Sequence, residues 1–488
     1  MESLVSVLPL HHNFADQMPG FYAPWEREGF ADPTLIYLNQ ELALELGLDP
    51  EKLQEQGDQL FCGNVLPEGT VPIAQVYAGH QFGGFSPRLG DGRAAMLGEL
   101  VDVQGQAWDL SLKGSGRTVF SRGGDGRAAV SPVLREVLIS HAMHHLGIPT
   151  TRALAAVATG EFVRREQMLP GAVLARTAAS HIRVGTFSYF AAQGQTAELE
   201  QLVNYSIARH APNAHAAEIP ALALLAETSA KQASLIAHWM SVGFIHGVMN
   251  TDNTTLSGET IDYGPCAFMD RFDPATVYSS IDRQSRYAYG NQPGIGQWNL
   301  SRFAETLLFM IDPEQDKAVE IATATLREYS GLYDAAWTER FGAKIGIQAT
   351  VHDKPLIQAF LDLLELHKVD FTQGFRRLSA VLRSGDVAVC GLFPSEESFA
   401  GWSEVWKERL VGEHDEIADA LDRINPLYIA RNHRVEAALT AATSGDLAPF
   451  EKLMDLLSQP FTLREGFEDF EGPAPSAFDA EYQTFCGT

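Results

Sequence analysis

Short apolar runs broken by glycine turns fill the N-terminal third of the chain. Longer runs, with apolar residues every three to four positions, fill the rest. In VPIAQVYAGHQFGGFSPRLGDGRAAMLGELVDVQGQAWDLSLKGSGRT (71–118) β-type segments alternate with turn signals such as Gly-Asp-Gly and Gln-Gly-Gln. The pattern makes AAMLGELVDV and AWDLSLKG antiparallel neighbours joined at Gly105. A Gly/Arg-rich loop, GSGRTVFSRGGDGRAA, precedes SPVLREVLISHAMHHLG, where Pro132 sits near a first helical turn and Gly147 marks a stop. TRALAAVAT (151–159) then reads as a short strand.

From about residue 195 the period becomes helical. IPALALLAETSAKQASLIAHWMSVGF (219–244) predicts a long helix running straight into His246, and TTLSGETI (254–261) reads as a strand-turn-strand hairpin. WNLSRFAETLLFMI, EVWKERLVG and EKLMDLLSQ are amphipathic helices, and the acidic, Gly/Pro-containing stretch from Arg464 reads as an extended tail. Strands followed by helices predict an α+β fold of two lobes, β-rich then helical. The expected divisions are 1–165 for the β-rich lobe with its Gly-rich loops, 166–390 for the helical lobe with a metal site, and 391–488 for a helical extension and tail.

The 488 residues carry 36 Lys and Arg against 62 Asp and Glu, a net charge of −26. That balance argues against nucleic acid or an anionic membrane as partner, because both need clustered cations. It also makes each local group of arginines more informative. No apolar run approaches the roughly 18 residues of a membrane span, and MESLVSVLPLHHNFADQMPG has neither the basic nor the apolar region of a secretory signal. Four scattered cysteines (Cys62, Cys266, Cys390, Cys486) without C-x-x-C spacing fit a reducing cytoplasm.

Chemistry-bearing residues gather where strands give way to helices. Lys113 ends a predicted strand and Glu136 lies in the next helix, the pair that kinase-like sites use on phosphates; a solvated surface pair is the ordinary reading. Gly90, Gly92 and Arg93 in RLGDGRAAM, and Asp125 and Gly126 in RGGDGRAA, suit either phosphate-cradling loops or plain turns. Arg176 and Arg183 are a candidate triphosphate clamp or two surface salt bridges. Asn253 and Asp262 offer hard oxygens to a Mg²⁺ ion, and Asp252 is the candidate general base, with a loop cap as its bland alternative. The usual kinase base position after His246-Gly247 is Val248, while His246 can orient the loop without touching substrate.

YAGHQFGGFSPRLGDGRA, LKGSGRTVFSRGGDGRAAVSPVLREVL, LARTAASHIRVGTF and HGVMNTDNTTLSGETIDYGPCAFMD resemble the selenoprotein O (YdiU) family, as do NQPGIGQWNLSRFAETL and NPLYIARNHRVEAAL. The resemblance covers essentially the whole chain. It implies a protein-kinase-like fold that binds ATP in a flipped orientation and transfers AMP to Ser, Thr or Tyr hydroxyls of proteins, with Mg²⁺ or Mn²⁺. It further implies that Lys113, oriented by Glu136, holds a phosphate, and that Gly90, Gly92, Arg93, Asp125 and Gly126 line the nucleotide pocket. Arg176 and Arg183 then contact phosphates, Asn253 and Asp262 hold the metal, and Asp252 activates the acceptor hydroxyl. Cys486 resembles the position of the family's selenocysteine, with Cys266 a candidate redox partner. A γ-phosphate kinase and an inactive nucleotide-binding scaffold are the alternatives.

Overall fold

Eight strands form one sheet in a computed structural model that describes residues 7–389, 391–395 and 397–485. In chain order the strands of the fold are Tyr22–Pro24 (β1), Thr34–Leu38 (β2), Ile73–Gln75 (β3), Gly79–Gln81 (β4), Gly84–Ser86 (β5), Ala94–Val101 (β6), Ala107–Lys113 (β7), Ala128–Ala129 (β8), Arg152–Arg164 (β9), Met168–Ala178 (β10), Phe244–Ile245 (β11) and Ala267–Phe268 (β12). The sheet order is β1-β3-β6-β7-β10-β9-β2 with β8 on β10, and every pairing is antiparallel. Many helices pack around it, so the protein is a mixed α and β fold.

The β6–β7 hairpin forms as its sequence predicts, and its turn is fixed by more than Gly105. The Asp102 carboxylate accepts from the backbone N–H of Gln104 and Gln106 at 2.8 Å and from Trp108 Nε1 at 2.9 Å. These bonds satisfy three donors that a bare turn leaves open. The central strands are buried on both faces. One face packs on Leu53, Leu60 and Phe61 of helix Pro50–Phe61, the other on Val133, Leu134 and Val137 of helix Val130–His145.

Two elements differ from the expectation. β9 runs on to Arg164 because Met168–Ala178 returns along it, so a hairpin straddles the 165/166 division. Its polar end, GEFVRREQ, hides this from a period-2 count. TTLSGETI is not a hairpin of paired strands. Its backbone bonds go outward instead, Val184 N–H to Thr254 O and Thr151 N–H to Thr260 O, while Thr255 Oγ1 donates to Glu259 O within a tight loop. Hydroxyl-to-backbone bonds of this kind compete with a ladder. The flanking ribbon is β11–β12.

Helix Pro220–Ser241 feeds β11 directly, and helices Glu397–Arg409 and Ala448–Leu457 form where apolar spacing places them, while WNLSRFAETLLFMI is divided between helix Gln292–Glu305 and the short helix Leu308–Ile311. A continuous core joins helix Val130–His145 to the C-terminal helices through Tyr263, Cys266 and Phe268. The acidic end is not a free tail over its described part. Ser476–Glu481 is helical, Arg271 pairs with Asp479 at 2.6 Å, and Thr484 N–H bonds Tyr278 O at 2.8 Å. Among the described residues no helix is long and apolar enough to cross a membrane.

Candidate active site

Strand register places the first two cations. Lys113 lies opposite Leu174, and Arg176 opposite Ser111, so Lys113 and Arg176 leave the same face of neighbouring strands two positions apart. That face meets helix Val130–His145, which presents Glu136. Lys113 Nζ reaches Glu136 Oε2 at 2.6 Å, and the Arg176 guanidinium reaches Glu136 Oε1 at 2.7 Å.

Asp262 closes the cluster from the loop after the long helix. Its Oδ1 accepts from Lys113 at 2.8 Å and Arg176 at 2.6 Å, and its Oδ2 lies 3.3 Å from Arg183. Three cations thus face two carboxylates, leaving a local positive charge in an acidic protein. Burial alone raises both carboxyls, but for Asp262 the Lys113, Arg176 and Arg183 charges outweigh it and hold the group well below the usual range. Glu136 is lowered in the same way by Lys113 and Arg176. Asp262 also adopts a left-handed backbone, φ +63°, which costs a non-glycine residue about 1–2 kcal/mol. Such local strain is sustained only where surroundings over-determine it.

Asp252 is its opposite. It is 7% exposed, accepts from Gln81 Nε2 at 3.2 Å through Oδ2, and keeps Oδ1 buried without a hydrogen-bond partner among the described residues. Burial pushes its carboxyl up to about 6. Arg183 donates to the Asp252 backbone carbonyl at 2.8 Å and so ties the two carboxylate stations together. Beside it, Asn253 Nδ2 donates to Val248 O at 2.9 Å, which leaves the amide oxygen as the atom for a cation. His246 meets the Ile261 carbonyl at 3.0 Å, a bond within the loop rather than to the cavity.

A cavity of about 900 Å³ runs past these groups and is lined also by Gly90, Gly92, Arg93, Asp125 and Gly126. Gly90 (φ +64°) lies where a Cβ would run into the Phe120 ring, and Gly126 (φ +67°) lies against the Gly116 carbonyl. Both glycines therefore let two loops touch. The Asp125 carboxylate is engaged by Arg165 at 2.8 Å and by Arg127 N–H at 3.0 Å, so in this structure it braces its loop.

Sequence reasoning overlooked two contributors. Arg135, next to Glu136, donates to Gly264 O at 3.1 Å and Cys266 O at 2.5 Å, fastening the segment after Asp262 to the helix. An Arg inside an apolar-periodic helix reads as a surface charge, and only the fold supplies its partners. Gln81 holds Asp252 from a distant segment; the glycines of GHQFGG mark its tight turn and were the available signal. Cys266 is buried, its thiol raised to about 11 by burial. Its suggested partner Cys486 lies outside the described residues, as does Cys390.

A family model described as protein adenylyltransferase SelO matches residues 6–458. A protein named "Protein nucleotidyltransferase YdiU" from Cereibacter sphaeroides is 52% identical over 479 residues, covering 98% of this chain and 99% of that protein. Namesakes from Rhizobium leguminosarum bv. trifolii and a Mycobacterium species are each 52% identical, over 491 and 484 residues, covering 99% of this chain and 98% and 99% of themselves. The chain belongs to the SelO family of protein adenylyltransferases.

Proposed function

We propose that this protein is a cytoplasmic adenylyltransferase of two-lobed, kinase-like architecture that moves AMP from ATP, bound inverted, onto Ser, Thr or Tyr hydroxyls of proteins. The observation that carries this reading is the contrast between the two carboxylates: Asp262 accepts from three cations, whereas Asp252 has a buried oxygen with no partner among the described residues. A base needs an unengaged oxygen and a pKa near the working pH, and Asp252 has both.

ATP is the substrate. Lys113, Arg176 and Arg183, with Arg93 on the cavity wall, supply positive charge to its phosphates, and Glu136 keeps Lys113 in place. The glycine loops at 90–92 and 124–126 let backbone approach it closely. Asn253 and Asp262 would hold Mg²⁺ or Mn²⁺, which neutralises phosphate charge when bound. The donor chemistry fits such an ion, since Asn253 has its amide oxygen left over and Asp262 stays ionised.

In the transfer, the acceptor hydroxyl gives its proton to Asp252 and its oxygen bonds the α-phosphorus. The bond from that phosphorus to the bridging oxygen breaks, and pyrophosphate leaves with the electron pair. Arginines around the leaving group favour a departing anion of that charge. ATP labelled at the α- or the γ-phosphate tests the reading with purified protein and Mg²⁺. Label on acceptor protein from the α position alone, lost in Asp262→Ala, is expected. Label from the γ position alone would make it a kinase, and label from neither, with ATP still bound, a scaffold.

A further inference from the structure

Among the described residues, hairpin β4–β5 pairs with no other strand and stands apart from the main sheet. Four consecutive residues of it touch the loop that carries Asp252. Gly79 lies so close that a Cβ there would run into the Asp252 carboxylate, and His80 N–H donates to Thr251 Oγ1 at 2.7 Å. Gln81 Nε2 donates to Asp252 Oδ2 at 3.2 Å, and Phe82 N–H donates to Tyr287 Oη at 3.1 Å, which in turn donates to Asn250 Oδ1 at 2.7 Å. The ribbon is therefore built onto the base.

Its other side faces solvent. Phe82 and Phe85 are 39% and 43% exposed, each backed by an aromatic partner: Tyr287 at 5.2 Å for Phe82, and His80 at 4.8 Å for Phe85. Trp298 continues the platform beside His80 at 5.5 Å. Across it lies the Arg286 guanidinium, 4.6 Å from the Trp298 ring and 3.8 Å from where a Cβ on Gly83 would stand. Among the described residues Arg286 has no carboxylate within ion-pair distance and its buried Nε has no hydrogen-bond partner, while its side chain also bonds the Tyr287 hydroxyl. The ribbon reaches the cavity at Gln81, which lines it together with Asn250 and Asp252.

We propose that this ribbon is the docking surface for the acceptor protein. It takes an extended segment with an apolar side chain against Phe82 and Phe85 and a carboxylate side chain on Arg286, so that the hydroxyl between them meets Asp252. The proposal rests on the reading of Asp252 as the base for adenylyl transfer. Exposed aromatics beside an unpaired arginine are the composition of interaction hot spots. Complementary charge sets the partner's sign, since Arg286 beside the Trp298 ring offers an ion pair to a carboxylate and repels a lysine.

The test uses the full chain and two fluorescein-labelled 13-residue peptides, each with a central Thr flanked by Leu on one side and by either Glu or Lys on the other. Fluorescence anisotropy should show the Glu peptide binding about tenfold more tightly than the Lys peptide. Arg286→Glu should reverse that order, and Phe85→Ser should weaken both by about tenfold, with unchanged circular dichroism. Equal affinities, no binding of either peptide, or an order unaffected by Arg286→Glu would each overturn the proposal. These outcomes are separate from the label experiment: α-label transfer without charge preference sinks the dock alone, and charge-selective binding without any label transfer sinks the transferase reading and with it the acceptor role of the ribbon.

Discussion

Asp252 and Asp262 lie ten residues apart in one loop region, yet their surroundings push them in opposite directions. Asp262 accepts from three cations and is held far down; Asp252 is buried with no cation on its carboxylate among the described residues and is pushed up to about 6. In the proposed reading, two identical side chains thereby serve as a permanent anion and a proton acceptor. Environment, more than residue type, assigns the roles.

The largest effect is expected from removing the permanent anion. Asp262→Ala removes the carboxylate that Lys113, Arg176 and Arg183 share and should lower α-label transfer by about 10³-fold or more in a single-turnover assay. Asp252→Asn should lower it by about 10²- to 10⁴-fold, the usual contribution of a general base. The wild-type kcat/KM should climb with pH and level off above about 6, because only the ionised carboxylate takes a proton, and Asp252→Asn should abolish that limb.

Stability should move the other way. A carboxyl raised from 3.8 to about 6 on folding costs on the order of 3 kcal/mol once ionised. That penalty appears as pH rises from about 4 through 6 and then stays constant. Urea denaturation should therefore find Asp252→Asn more stable than wild type at pH 8, with the gain shrinking toward pH 4. Asp262 has the opposite sign: its ion pairs stabilise the fold above the unfolded pKa and are lost as acid reaches its depressed value. The smallest effect belongs to Gln81→Ala. Gln81 donates to the ionised Asp252, so its loss should shift the activity limb upward by less than about one unit.

The same contrast separates what could be read along the chain from what could not. The β6–β7 hairpin and the helix from Pro220 to Ser241 follow from local period and turn chemistry, and the structure contains both. Lys113, Glu136, Arg176, Arg183 and Asp262, each singled out separately along the chain, form one hydrogen-bonded cluster. TTLSGETI misled because hydroxyl-backbone bonds beat a ladder that its alternation suggested. Gln81 and Arg135 were missed because each acts on residues more than 125 positions away, and nothing in a local window reports such partners. The acidic C-terminal stretch looked extended because its ordering contacts, Arg271 and Tyr278, lie some 200 residues earlier.

The most direct measurement takes ATP affinity and α-label transfer side by side for Asp252→Asn and Asp262→Asn. The account predicts that Asp252→Asn binds ATP with Mg²⁺ within about twofold of wild type while transfer collapses, and that Asp262→Asn loses affinity and transfer together. Equal loss of ATP affinity in both variants would contradict it, because Asp252 would then be part of the nucleotide site and not the base.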